Sequence, residues 1–262
     1  MPQKGIDKET LVSKIIVPFE SIHHILVISG ASGAGKTSTC DLLARMYPDR
    51  YVHIPFDRSR ASRAGEIGSR QVSVESMLQK YCSGEYFNLA IVTHNGYAAI
   101  RTADVNQALY NGKVAVMEFP LERVDDLEKT FQKAHISIVE LVAPSEEERH
   151  RRLKKDNKYT DQRIESAKWG AGRIKRYKNG ELLTLYDHDL VLITETGKQK
   201  DTAIKIHKFM QIQSLTPMQL ENIEKSGIKA VQNLLKTVEM GKYEYLKSDN
   251  IDRELIELFM FE

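Results

Sequence analysis

The segment Gly30-Ala31-Ser32-Gly33-Ala34-Gly35-Lys36-Thr37, with Ser38 next, fits the spacing G-x-x-x-x-G-K-[ST]. Glycines so placed let successive backbone N–H groups turn inward around a polyphosphate, and the first turn of a following helix adds favourable dipole. In such a P-loop Lys36 reaches the β and γ phosphates of a bound triphosphate, and the Thr37 hydroxyl ligates the Mg²⁺ that bridges them. The chemistry permitted is phosphoryl transfer. The loop alone suits a GTPase, an ATPase or a kinase, so the acceptor must be read from the rest of the chain.

Downstream, Arg60 and Arg63 stand three apart ahead of Gly65-Glu66. Two guanidinium forks converging on one site suit a phosphate dianion, which arginine contacts bidentately; a solvated basic loop is the other reading of the same residues. Asp57 offers a different chemistry, because a carboxylate just past a strand could orient or deprotonate an acceptor hydroxyl; an Asp at a turn is the plainer reading.

These segments together resemble the guanylate kinase family. Ile28 to Thr37 is similar to the family's I-S-G-P-S-G-x-G-K-[ST], and Arg60, Arg63, Gly65 and Glu66 match its R-x-x-R-x-G-E. Asn95-Gly96-Tyr97 matches its N-x-Y-G. The resemblance spans about residues 24–212. It implies that Arg60, Arg63 and Tyr97 hold an acceptor phosphate, that Glu66 and Asn88 belong to the acceptor side, and that Glu118 holds Mg²⁺ with Thr37. It also implies a lid over about 147–167, with Arg152 and Arg163 closing over the transferring phosphoryl group. The positions through which the family reads guanine differ. Phe56 replaces a serine, Asn88 a glutamate and Pro120 an aspartate, while Val72 replaces a phosphate tyrosine and Asp156 a lid arginine. A phosphorylated acceptor follows from the resemblance more firmly than GMP itself.

The elements that must position these residues are legible in part. Ile25 to Ser29 reads as a buried strand, and Thr37 to Tyr47 as a helix stopped by Pro48. Apolar runs at Tyr51–Ile54, Val114–Met117, Ile136–Val142 and Leu190–Ile193 alternate with helical spacing over about 122–133, 145–155 and 199–212. That alternation predicts an α/β fold with a parallel sheet wrapped by helices. A lobe over about 56–97, with a helix near Ser73–Cys82 and a strand over Tyr86–Thr93, reads as an inserted acceptor-binding unit. Residues 1–22 read as a helical extension and 23–213 as the kinase domain. From Thr216-Pro217 onward the pattern predicts a helical tail over 214–262, suited to a partner or dimer interface.

Lys+Arg number 38 against Asp+Glu 36, too balanced a charge to argue for wrapping a nucleic acid polymer. Cys40 and Cys82 are the two cysteines, too few for a disulfide framework, and no apolar run approaches a bilayer's thickness, so a cytoplasmic protein is expected. His23, His24 and His94 lack metal-ligand spacing, and Asp187-His188-Asp189 alternates across a strand entry. Three function classes remain. The favoured one is an ATP- and Mg²⁺-dependent kinase acting on a nucleoside monophosphate or similar phosphorylated molecule. The others are a P-loop kinase with an unphosphorylated hydroxyl acceptor and Asp57 as base, and a catalytically inactive binding module.

Overall fold

His24-Ile25-Leu26-Val27-Ile28-Ser29-Gly30 forms the first strand (β1, His24–Gly30), and its side chains are buried on both faces. A strand apolar on both sides must lie inside a sheet covered by helices on each face. The computed structural model describes residues 23–61, 68–93, 96–155, 174–176, 182–184 and 189–213. The expected leading helix (1–22), the tail (214–262) and most of the lid beyond Lys155 lie outside the described residues, as do Arg63, Glu66, Asn95 and Arg163.

In chain order, α1 (Lys36–Met46) follows the glycine-rich loop, then β2 (Tyr51–His53), β3 (Phe56–Arg58), β4 (Ser69–Gln71), α2 (Val74–Cys82), β5 (Tyr86–Thr93) and β6 (Gly96–Arg101). Next come α3 (Thr102–Tyr110), β7 (Val114–Glu118), a 3-10 turn (Leu121–Arg123), α4 (Val124–Thr130), β8 (His135–Val142) and α5 (Glu146–Lys155). A short antiparallel pair, β9 (Ile174–Arg176) with β10 (Leu182–Thr184), precedes β11 (Leu190–Ile193) and α6 (Gln199–Gln213).

The main sheet is parallel throughout, in the order β11-β8-β1-β7-β2. Along β1 alternate residues serve opposite faces, as a period of two requires. Ile25 and Val27, with Ala115 and Met117, pack under α3 and α4 through Val105, Leu109, Val124 and Leu127. Leu26 and Ile28, with Val116, Val139 and Leu141, pack under α1 and α6 through Cys40, Leu43, Ile206 and Met210. Each buried aliphatic side chain contributes about 1.5–3 kcal/mol, so β1 is the anchor of both layers.

A second, four-stranded sheet in the order β4-β3-β6-β5 spans the region expected to form an acceptor lobe. Helix α2 covers it, capped by Ser73 Oγ accepting from the Ser76 N–H at 3.2 Å and held by the buried Met77 against Tyr86 and Ala99. The expectation for β5 agrees with the structure. The sequence reading places no strand over β3, β4 or β6 and no helix over α3. Gly96 to Arg101 lacks a β-branched run, yet it is an interior strand, paired to β3 and β5. Helix α3 has a buried face of Val105, Ala108 and Leu109, but it is nine residues long and has no side-chain cap.

Candidate active site

Strand order reverses around β1, because β7 lies on one side of it and β8 on the other. In open parallel sheets the crevice beyond the carboxyl ends of strands at such a switch point is where ligands bind. Gly30, Glu118, Val142 and Ile193 end their strands along this edge, and Thr194 follows directly.

The glycine-rich loop leaves β1 there. Gly30, Gly33 and Gly35 have φ of 136°, 87° and 98°. A Cβ on Gly30 would lie 2.3 Å from the Leu141 backbone oxygen, so the strand beside it also excludes a side chain. Gly35 precedes α1 without a side-chain cap, which leaves the first backbone N–H groups of that helix available to an anion. Lys36 Nζ donates to the Gly30 carbonyl at 2.7 Å and to the Ala31 carbonyl at 3.1 Å, so its charge sits within the loop's own curve. Thr37 Oγ1 donates to Glu118 Oε1 at 2.6 Å. The end of β7 and the start of α1 thus bring together two oxygen donors, the type that a hard cation such as Mg²⁺ takes. Among the described residues no group of three or more His, Cys, Asp or Glu could hold a metal ion, and a Mg²⁺ completed by phosphates and water needs none.

Two neighbours on this edge are set by burial. The Cys40 thiol, on α1, is pushed up by burial and secondarily by Glu118, against a smaller opposing effect of Lys36; it is a packing residue, not a nucleophile. His53, ending β2, is pulled down by burial, partly offset by Glu118 and Asp41, and a Cβ on Gly68 would collide with its ring.

Helix α5 lies against the loop. A Cβ on Gly33 would come within 3.2 Å of Arg149 Cγ and Leu153 Cγ, so this glycine also admits the helix. Arg149, 2% exposed, is paired with Glu146. Arg152 Nη2 donates to the Thr194 carbonyl at 2.6 Å and Nη1 to Thr194 Oγ1 at 2.8 Å, while Nε donates to Glu148 Oε1 and Thr196 Oγ1, each at 3.0 Å. Thr194 Oγ1 in turn donates to the Ala34 carbonyl at 2.8 Å. The Glu148 carboxylate is held far below its usual range, chiefly by Arg151 and then by Thr196. Arg152 lies beside the loop, with its guanidinium held by Thr194 just past β11 and by Glu148 and Thr196. Arg149 and Thr194 were not singled out as loop contacts. Thr194 directly follows the last strand at the switch-point edge, which is the one signal that could have marked it.

In the second sheet, Ser59 N donates to the Tyr97 carbonyl at 3.0 Å, and Tyr97 N donates to Ser59 Oγ at 2.8 Å. This double tie places Arg60, the next residue, beside β6. Asn88, expected on the acceptor side, and Asp57, the candidate base, are both engaged within the second sheet. Asn88 is buried and its Oδ1 accepts the Ile100 N–H at 3.1 Å, beside a register shift in the β5–β6 pairing, so its amide is committed to the sheet. Asp57 is 0% exposed and its carboxylate accepts from Arg70 Nε at 2.6 Å, Tyr86 OH at 2.5 Å and Arg101 Nε at 2.8 Å. Burial alone would raise its pKa, but hydrogen bonds from Tyr86, Arg101 and Arg70 outweigh burial and hold it below the ordinary carboxylate value. So enclosed, it is no base for an acceptor hydroxyl. Phe56, on the opposite face of β3, lies in the core beneath α3 and α4.

A P-loop at the carboxyl end of the central parallel strand, faced by a carboxylate from the neighbouring strand, defines a P-loop nucleotide-binding fold. The comparisons narrow this further. The family model described as guanylate kinase matches residues 23–192, and the chain belongs to the guanylate kinase family. The guanylate kinase of Helicobacter pylori is 26% identical over 188 residues, covering 71% of this chain and 86% of that protein. The one from Chlamydia caviae is 30% identical over 149 residues, covering 54% and 71%. The crystal structure of guanylate kinase from Anaplasma phagocytophilum shares the fold, with a TM-score of 0.53 at 17% identity over 76% of this chain and 90% of that one. Among the described residues no helix is long and apolar enough to cross a membrane.

Proposed function

We propose that this protein transfers the γ-phosphoryl group of ATP to the phosphate of a small phosphorylated acceptor, a nucleoside monophosphate or a molecule like it. The observation that carries the reading is the pairing of Thr37 with Glu118 at the mouth of an intact P-loop, since a scaffold that only binds a partner has no use for a metal-competent pair beside a lysine-bearing phosphate cradle.

Phosphoryl transfer passes through a loose transition state whose charge spreads over the equatorial oxygens, so the protein's contribution is positioning and charge neutralisation. The backbone N–H groups from Gly33 to Thr37 cradle the β and γ phosphates. Lys36 exchanges its carbonyl partners Gly30 and Ala31 for phosphate oxygens and places one positive charge at the centre of the loop. Thr37 and Glu118 would hold Mg²⁺, which would supply neutralisation of phosphate charge. Arg152 adds positive potential from the rim beside Gly33, and Arg163 joins it from the lid. Arg60, Arg63 and Tyr97 hold the acceptor phosphate in line, with Glu66 on the same acceptor side.

The enclosure of Asp57 favours this reading over a hydroxyl acceptor that needs a base at that position. The acceptor is read at its phosphate more than at its base. Of the three positions aligned with guanine reading, Phe56 is in the core, Asn88 is committed to the Ile100 N–H, and Pro120 opens the 3-10 turn. A site without base-matched polar groups discriminates weakly among bases.

The test is ADP release from ATP and Mg²⁺ with GMP, AMP, CMP, UMP and dTMP, set beside the corresponding nucleosides and sugar phosphates. Turnover with monophosphates and none with nucleosides is expected, and Arg60→Ala should raise the acceptor KM by about tenfold or more with kcat less affected. Turnover with nucleosides that Arg60→Ala leaves untouched would refute the reading.

A further inference from the structure

Asp57 joins every strand of the acceptor-side sheet. It stands on β3; Arg70 comes from β4, Tyr86 from β5 and Arg101 from β6, and each donates to its carboxylate. Arg70 also pairs with Asp104 in the first turn of α3. Two guanidinium groups thus meet two carboxylates, and the charge is balanced inside the cluster. Removing one partner from such a network around a buried carboxylate leaves the others uncompensated, which is why its members act as a unit.

What this cluster fixes lies two residues away. From Asp57, β3 runs through Arg58 to Ser59, whose N–H and hydroxyl tie the Tyr97 carbonyl and N–H, and Arg60 follows. On β6, Tyr97, Ala99 and Arg101 lie on one face, and Arg101 grips Asp57. The same face packs Tyr97 near Met77, Tyr86 and Ala99 under α2. Both described residues assigned to the acceptor phosphate therefore hang from strands clamped by the one carboxylate.

We infer that Asp57 is the positioning residue of the acceptor site: its partly buried ionic cluster sets the register of β3 on β6 and so the separation of Arg60 from Tyr97. The inference rests on the functional reading above for what Arg60 and Tyr97 hold, and on geometry alone for how they are held. A side chain that merely stabilised the lobe would affect both substrates and all regions alike. A positioning residue loosens one pair and raises one KM.

Two variants test this, Asp57→Asn and the milder Tyr86→Phe, which removes a single donor and preserves shape. Amide hydrogen exchange without any ligand is read at Tyr97, whose N–H donates to Ser59, and at Leu26 and Ile28 in β1. Tyr97 should exchange about tenfold faster or more in Tyr86→Phe, and faster still in Asp57→Asn, with Leu26 and Ile28 unchanged. In the ADP-release assay the KM for the preferred monophosphate should rise by about tenfold while the ATP KM stays within about twofold. Tyr97 exchange that does not move, or that moves only together with Leu26 and Ile28, overturns the inference. Both KM values rising in parallel do the same. A wild-type chain that phosphorylates no monophosphate overturns the functional reading and the acceptor half of the inference together, while the Tyr97 exchange still decides the cluster's role by itself.

Discussion

Thr37 Oγ1 and Glu118 Oε1 lie 2.6 Å apart although 81 residues separate them in sequence. The contact exists because β7 pairs directly with β1 and puts Glu118 opposite Ile28, just below the loop that leads into α1. A hydroxyl donating to a carboxylate at the edge of the glycine-rich loop is a pair of oxygen donors of the kind a hard cation takes.

Glu118→Gln separates charge from shape. The amide oxygen can still accept from Thr37, so the fold is retained, but the negative charge toward Mg²⁺ is lost. The half-saturating Mg²⁺ concentration for ADP release is expected to rise by about tenfold, with kcat lower by about one to two orders of magnitude. A Mg²⁺ titration of initial rates checks this. An unchanged Mg²⁺ dependence would remove Glu118 from the metal site.

Thr194 links the loop to α5, donating to the Ala34 carbonyl and accepting from Arg152. Thr194→Val keeps the side-chain shape and deletes both bonds, leaving a buried carbonyl without this donor. Stability measured by urea unfolding should fall by about 1–2 kcal/mol, and the ATP KM should rise while the acceptor KM does not. A matched rise in both would assign Thr194 to general packing.

Much of the nucleotide side was legible in the sequence, because a P-loop's function lies in a contiguous backbone whose glycines, lysine and threonine are all visible in eight residues. β1, β7, β8 and β11 were legible for a related reason, as buried parallel strands are continuous apolar runs. The acceptor lobe was harder to read. Its sheet is held by Asp57, Arg70, Tyr86 and Arg101, residues scattered over 45 positions whose meeting depends on strand order. Asp57 in isolation looks like a turn residue or a base, and its true surroundings emerge only from three partners on three other strands. Asn88 is similar, since its alignment with a ligand-reading position does not reveal that its Oδ1 accepts the Ile100 N–H at an irregular stretch of β5–β6.

Two buried histidines make stability depend on pH. His24, 1% exposed and edge-on to the ring of His135, is pulled down to about 4 by burial and then by His135. His207, bonded to Tyr51 OH at 2.9 Å and stacked on Tyr47, is pulled down to about 4 by burial and then by Arg50 and Lys208. In the unfolded chain each titrates near 6.5. Between those values the unfolded chain binds protons that the folded chain does not, so stability is complete above about pH 6.5 and falls as the pH drops toward 4, by on the order of 3 kcal/mol for each histidine. Thermal melts at pH 7, 6, 5 and 4 should show a steadily falling midpoint, and His207→Gln should flatten the decline. Equal slopes for the two proteins would exclude His207 as a source. Asp57, whose folded pKa is lowered, acts in a lower window, its contribution being present above the unfolded carboxylate value and lost as pH falls below it.

The most direct test of the central claim follows phosphorus itself. ³¹P NMR of the protein with ATP, Mg²⁺ and each monophosphate in turn should show the acceptor's phosphate signal replaced by the paired signals of a diphosphate as ADP accumulates. Lys36→Ala, folded by circular dichroism, should slow this by about two to three orders of magnitude. ATP hydrolysis to inorganic phosphate with no new diphosphate on any acceptor, or a diphosphate that forms as fast with Lys36→Ala, would contradict the account.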